Sequence, residues 1–187
     1  MMRALVRILE ETKRQSIEEY LIPESLLIEA FDAVDFTKDL KEKLVYFAGR
    51  IRERRATLER LVEIEQIGNM GLVTDTPKTL EHLRALEQER LELLAIGHSH
   101  PEWGLPTPSS LDWDTIEAFQ AGYGPLLGMV FSIDAHITFY TLQPVHLLIV
   151  RDDNLPKEVR DGCYKLPITI PASSWTALFR AFADGLD

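Results

Sequence analysis

The residues best equipped for chemistry stand together in Gly97-His98-Ser99-His100-Pro101, followed by Pro108-Ser109-Ser110-Leu111-Asp112. Side chains alternate between faces along a strand, so His98 and His100 share one face and can reach one metal ion. Pro101 ends such a strand, and a loop then returns the chain to place Asp112 in the first turn of the next helix. Two imidazoles and one carboxylate form the three-ligand set of a catalytic zinc site. The fourth position is left for a water that the ion acidifies to a pKa of about 7. Each half also has a plain reading. A lone His-x-His on a strand is commonly without function, and Ser-x-x-Asp at a helix start is a capping arrangement whose aspartate suits the helix dipole.

Other reactive side chains offer less. Ser99 points to the opposite strand face from the histidines, and no serine lies in a Gly-x-Ser-x-Gly elbow. Cys163, the single cysteine, has no neighbouring histidine in sequence and reads as non-catalytic. His82 falls in a helical segment and reads as solvated or interfacial, while His136 and His146 read as core or edge histidines of late strands. Trp103, beside the histidine pair, reads either as a packing residue or as the wall of a groove for an extended peptide.

These residues need elements to hold them. Residues 3–9 suit a strand or a helix start, and Ser16 with Glu19 reads as a capping box. Pro23 opens a helix with Leu26, Leu27, Ala30, Phe31 and Val34 on one face. The spacing predicts a buried strand over 43–51, a polar turn at 52–55 and a partner strand over 56–66. The arginines Arg50, Arg52, Arg54, Arg55 and Arg60 read as a solvated hairpin tip. Gly68 and Gly71 mark a loop, and 77–91 forms an amphipathic helix. A strand over 93–99 carries the histidines, and a helix runs from Ser109 through Phe119. Strands are expected at 126–133, 136–142 and 145–151, with a short run at 165–170 and a helix from about Ser173 to Ala183. Interleaved helices and strands predict a mixed α/β domain, a central mixed sheet flanked by helices.

Composition narrows the rest. The 187 residues suit one domain, and 45% hydrophobic with 27% charged residues is ordinary globular usage. A net charge of −10 opposes an electrostatic grip on nucleic acid or an anionic membrane. No apolar run approaches the roughly 20 residues of a membrane span, and the first residues lack the apolar core of a signal peptide. The expectation is a soluble, cytoplasmic protein without nucleic-acid or membrane partners.

His98-Ser99-His100-Pro101 followed by Pro108-Ser109-x-x-Asp112 resembles the motif of the JAMM (MPN-type) zinc metalloproteases, which include deubiquitinating isopeptidases and prokaryotic relatives. That family also has a glutamate heading a buried upstream strand, with a glycine seven positions on. Here that pattern matches Glu42 and Gly49, and Glu42 precedes His98 by 56 residues. One departure is that eight residues separate His100 from Ser109, one more than the family's common spacing, with the extra residue in the Glu102–Thr107 loop. The resemblance covers 20–142 as a catalytic core and leaves 143–187 as a C-terminal extension of the single domain 1–187. It implies a JAMM/MPN-like fold with cytidine-deaminase-like layering and one Zn2+ held by His98, His100 and Asp112. It further implies that Glu42 is the general base and acid, and that Ser109 donates to the oxyanion. The implied activity is cleavage of a peptide or isopeptide bond at the C-terminus of a ubiquitin-like protein. Activating and conjugating enzymes of such a pathway, including a bacterial antiviral one, would be partners. Two alternatives stand beside it: a non-catalytic scaffold of the same fold, and a zinc amidohydrolase acting on a small molecule.

Overall fold

Tyr20 and Ile22 are buried and alternate with partly exposed neighbours, a period of two that makes Glu19–Pro23 the first strand, β1. The capping box expected at Ser16 and Glu19 is therefore not formed. Both edges of β1 are paired, and pairing with strands on either side outweighs the local helix signal. Pro23, locked near a φ of −60°, hands the chain directly into helix α1, Glu24–Val34. Leu26, Leu27, Ala30 and Val34 are its buried face, as the spacing predicts.

The computed structural model describes residues 16–36, 41–63, 66–68, 73–75, 79–151 and 156–170. The segment 3–9 and the helix expected from Ser173 lie outside them. After α1 come β2 (Leu44–Arg52), β3 (Arg55–Glu63), a small pair β4 (Gln66–Gly68) and β5 (Val73–Asp75), then helix α2 (Thr79–Gln88). Next are β6 (Glu92–Ser99), helix α3 (Ser110–Tyr123), β7 (Leu127–Phe131), β8 (His136–Tyr140), β9 (His146–Val150), β10 (Pro156–Glu158) and β11 (Cys163–Lys165). Gly68, read as a loop residue, belongs to β4. No described helix is long and apolar enough to cross a membrane.

Nine strands form one mixed sheet in the order β10-β9-β1-β3-β2-β6-β7-β8-β11. Alternation along β2 sorts its two faces. Val45 and Phe47 join the large core around α1, while Tyr46 and Ala48 join apolar clusters on the side of α3 and α2. The connection from β8 to β9 shows that the sheet curls. Six strand spacings in a flat sheet span about 29 Å, whereas the chain from Tyr140 to His146 reaches about 20 Å. The two outermost strands complete the curl: β10 and β11 pair at opposite ends of the sheet order, yet residues 159–162 alone connect them. Residues 146–165 thus contribute three strands to the same sheet as the histidine strand.

The arginine-rich hairpin is solvated, as expected. Glu53 and Arg54 both take positive φ at a two-residue turn, which matches the right-handed twist of the strands. Arg50, Arg54, Arg55 and Arg60 pair with Glu59, Glu18, Glu19 and Glu89.

Candidate metal centre

β6 lies between β2 and β7, with His98 near its end and His100 just past it. Gly97 allows that strand to pass close to its neighbours, since a Cβ there would stand 2.9 Å from Phe131 and 3.2 Å from Phe47. The His100 N–H donates to the Phe131 carbonyl at 2.9 Å, which holds the residue just past β6 in line with the strand. His98 and His100 consequently share the face that α3 covers, and both are buried.

Asp112 arrives from α3. Ser109 is the N-cap of that helix: its hydroxyl accepts from the Asp112 N–H at 3.3 Å, and the Asp112 carboxylate accepts from the Ser109 N–H at 2.6 Å. The capping reading is therefore borne out, and the same carboxylate stands beside the two imidazoles. The reciprocal cap holds Oδ2, while Oδ1 stands 3.1 Å from His98 Nε2. Oδ2 is 3.5 Å from His100 Nε2, and the two imidazole Nε2 atoms are 2.9 Å apart. A tetrahedral ion with bonds of about 2.0–2.1 Å requires ligand atoms about 3.3 Å apart. The imidazole pair, and the nearer carboxylate oxygen to each imidazole, lie close to that edge, so this buried His-His-Asp group could hold a metal ion.

The electrostatics agree. Burial disfavours ionised Asp112, but hydrogen bonds from His100 and His98 and from the Ser109 N–H overcome it and hold the carboxyl well below its usual range. Burial likewise disfavours charged His100, yet the Asp112 hydrogen bond and the charges of Asp112, Glu42 and Glu102 raise its pKa on balance. Negative charge thus gathers where a cation would sit.

Glu42 reaches the same place through sheet pairing. Leu44 stands opposite His98 in the β2–β6 register. One step outward, Lys43 N–H donates to Ser99 Oγ at 3.1 Å and Ser99 N–H donates to the Lys43 carbonyl at 3.1 Å. On the other side the Gln66 carboxamide substitutes for a strand partner, accepting from Leu44 N–H at 2.5 Å and donating to the Leu44 carbonyl at 3.0 Å. The segment bearing Glu42 is held from both sides. Glu42 is 7% exposed, and burial pushes its pKa up to about 7; His100 opposes that shift, while Asp112 and Glu102 add to it.

Glu42, His98, His100, Ser109 and Asp112 line one cavity of about 100 Å³, with Tyr140, Leu111 and Phe119 among its other walls. The buried polar residues make the same point. Glu24 meets Tyr164 and Arg151, Ser132 meets Asp134, and Ser99 accepts from Lys43 N–H, while Glu42, His98 and His100 converge here. Trp103 is not brought into the lining. Its loop is tied to the β7–β8 turn, where Gly104 N–H donates to Asp134 and Ile133 N–H to the Glu102 carbonyl, and the indole is half exposed. His82 is exposed, as a solvated reading expects, and His136 pairs with Asp134 at 3.0 Å; His146 is exposed on β9, which lies between β10 and β1, and so is neither a core nor an edge-strand histidine. Sequence reasoning missed Gln66 and Tyr140, because neither stands in a local pattern and both meet the site only through long-range packing. No protein-family model matches the chain, and no curated protein matches it either.

Proposed function

We propose that this protein is a zinc-dependent hydrolase of JAMM/MPN type, with the layering of that family, cleaving a peptide or isopeptide bond at the C-terminal tail of a ubiquitin-like protein. The observation that carries the reading is the gathering of Glu42, His98, His100, Ser109 and Asp112 at one cavity from three separate places in the sequence. Two imidazoles with one carboxylate suit zinc, and the three protein donors leave a position open to solvent or substrate. Bound there, zinc would supply Lewis-acid polarisation of the scissile carbonyl and acidify the attacking water.

The chain's own residues would do the rest. Glu42, in the same cavity lining, takes a proton as the water oxygen bonds to the carbonyl carbon. The Ser109 hydroxyl uses a lone pair for its helix cap, which leaves its proton free to donate to the carbonyl oxygen as negative charge builds. The carbon–nitrogen bond then breaks, and Glu42 returns the proton to the departing amine. Asp112, held by the cap, keeps its orientation through these steps.

A tail-like substrate is favoured by the exposed Leu111 and Trp113, which offer apolar contacts on the helix that carries Asp112. Activating or conjugating enzymes of the same pathway would be its partners, and the cytoplasm its place. The small cavity favours a second reading, an amidohydrolase of small molecules using the same set. A panel of ubiquitin-like C-terminal coumarin amides, assayed with zinc-loaded protein beside simple acyl amides, separates the two. Cleavage of a panel member that Glu42→Gln abolishes is expected. Turnover of simple amides alone would favour the second reading, and no turnover of either would favour a non-catalytic scaffold.

A further inference from the structure

The wall of the metal-centre cavity contains a hydroxyl that the chemistry above leaves unused. Tyr140 ends β8 and is 5% exposed, and its Oη is buried without a hydrogen-bond partner among the described residues. The ring is firmly seated. It lies over Gly128, its antiparallel partner, where a Cβ would come within 2.2 Å of the ring, and Trp113 packs edge-on with centroids 5.1 Å apart. An unmet buried hydroxyl is costly, and phenylalanine would fill the same space without that cost. Tyr140 also lines a second cavity of about 600 Å³, together with Pro108, Trp113, Leu142 and Val145. Its side chain is therefore common to that cavity and to the one holding Glu42, His98, His100 and Asp112. A phenol carries its proton at neutral pH and can donate it to an acceptor.

We propose that Tyr140 is a substrate-binding residue, whose hydroxyl donates a hydrogen bond to a carbonyl oxygen of the peptide or amide that occupies the metal-centre cavity. The missing partner of the hydroxyl is the substrate itself. This rests on the hydrolase reading and names one residue that would recognise the substrate beside the reacting bond. The larger cavity receives the part of the substrate preceding that carbonyl, against Trp113 and Leu142.

Tyr140→Phe separates a substrate role from a structural one. In zinc-loaded protein, kcat/KM on the coumarin amides falls about tenfold through a rise in KM. In urea, the variant unfolds at the wild-type midpoint or above it. Unchanged kcat/KM in an otherwise active protein overturns the proposal and leaves the hydrolase reading in place. A lower urea midpoint with unchanged KM overturns it too, since the hydroxyl would then serve the fold. Absence of all turnover by zinc-loaded wild type fails the hydrolase reading, and this proposal with it.

Discussion

Ser99 sits between the two histidines and works on the other side of the strand. Its hydroxyl accepts from Lys43 N–H, one residue from Glu42, so it aligns the proposed base with the proposed ligands. Threonine keeps that oxygen, whereas valine has the same shape without it. Ser99→Thr is expected to keep near-wild-type kcat, and Ser99→Val to lose about tenfold through an unmet N–H and a displaced Glu42. Equal kcat in the two variants would contradict this role. Glu42 itself makes a pH prediction. Its pKa is raised from 4.5 to about 7 by burial, so the folded chain favours the protonated form. In chelator-treated protein that contribution is present below pH 4.5 and is lost as pH rises through about 7. Glu42→Gln removes the penalty and should stabilise the metal-free protein at pH 8 by up to about 3 kcal/mol, with little effect at pH 4. Urea titrations at the two pH values check it, and an equal effect at both would show that Glu42 is not buried as described.

The elements explain why the motif works as a unit. Ser109 caps α3, and the same cap holds Asp112, so Ser109→Ala should cost about 1 kcal/mol of stability and about a hundredfold in kcat. Denaturant titration and steady-state kinetics check the two parts, and loss of stability alone would leave Ser109 as a cap only. In β2, the register slips at Ala48/Gly49 against β3, and a Cβ at Gly49 would stand 1.9 Å from the Thr57 carbonyl oxygen. Gly49→Ala should therefore destabilise by about 3 kcal/mol, read from the urea midpoint. Much of this was legible in the sequence. The His-x-His period, the Ser-x-x-Asp cap and the β2–β3 hairpin are local patterns, and local patterns survive in a string of letters. Glu42 was legible only through a resemblance, because its place depends on Leu44 pairing with His98 across 54 residues. Gln66 and Tyr140 carry no local mark at all. The capping box at Ser16 and Glu19 failed for the converse reason, since a local signal was overruled by strands far away in the chain.

At the scale of the whole molecule, the curl of the sheet is held at its ends by the last described strands. Tyr164 of β11 donates to the buried Glu24 at the start of α1, and Arg151, just past β9, approaches the same carboxylate at 3.5 Å. Three distant segments thus meet at one carboxylate, and the pieces that close the sheet lock onto the helix it encloses. Tyr164→Phe leaves a buried acceptor short of its donor and should cost about 1–3 kcal/mol. Burial, and then the hydrogen bond and charge of Glu24, push the phenol up to about 12 from 10. Its contribution is therefore complete below pH 10 and lost as pH rises through about 12. Urea midpoints should converge between wild type and Tyr164→Phe over that range, and a constant gap would assign the cost to packing alone. The net charge of −10 is spread over a surface on which four of the hairpin arginines, Arg50, Arg54, Arg55 and Arg60, have acidic partners.

The central claim is that His98, His100 and Asp112 hold a metal ion. Elemental analysis of native protein purified without chelators tests it most directly. The account predicts about one zinc per chain, falling to background in His98→Ala and Asp112→Ala variants that remain folded. Folded wild-type protein that contains no zinc, and takes up none on dialysis against it, would contradict the account.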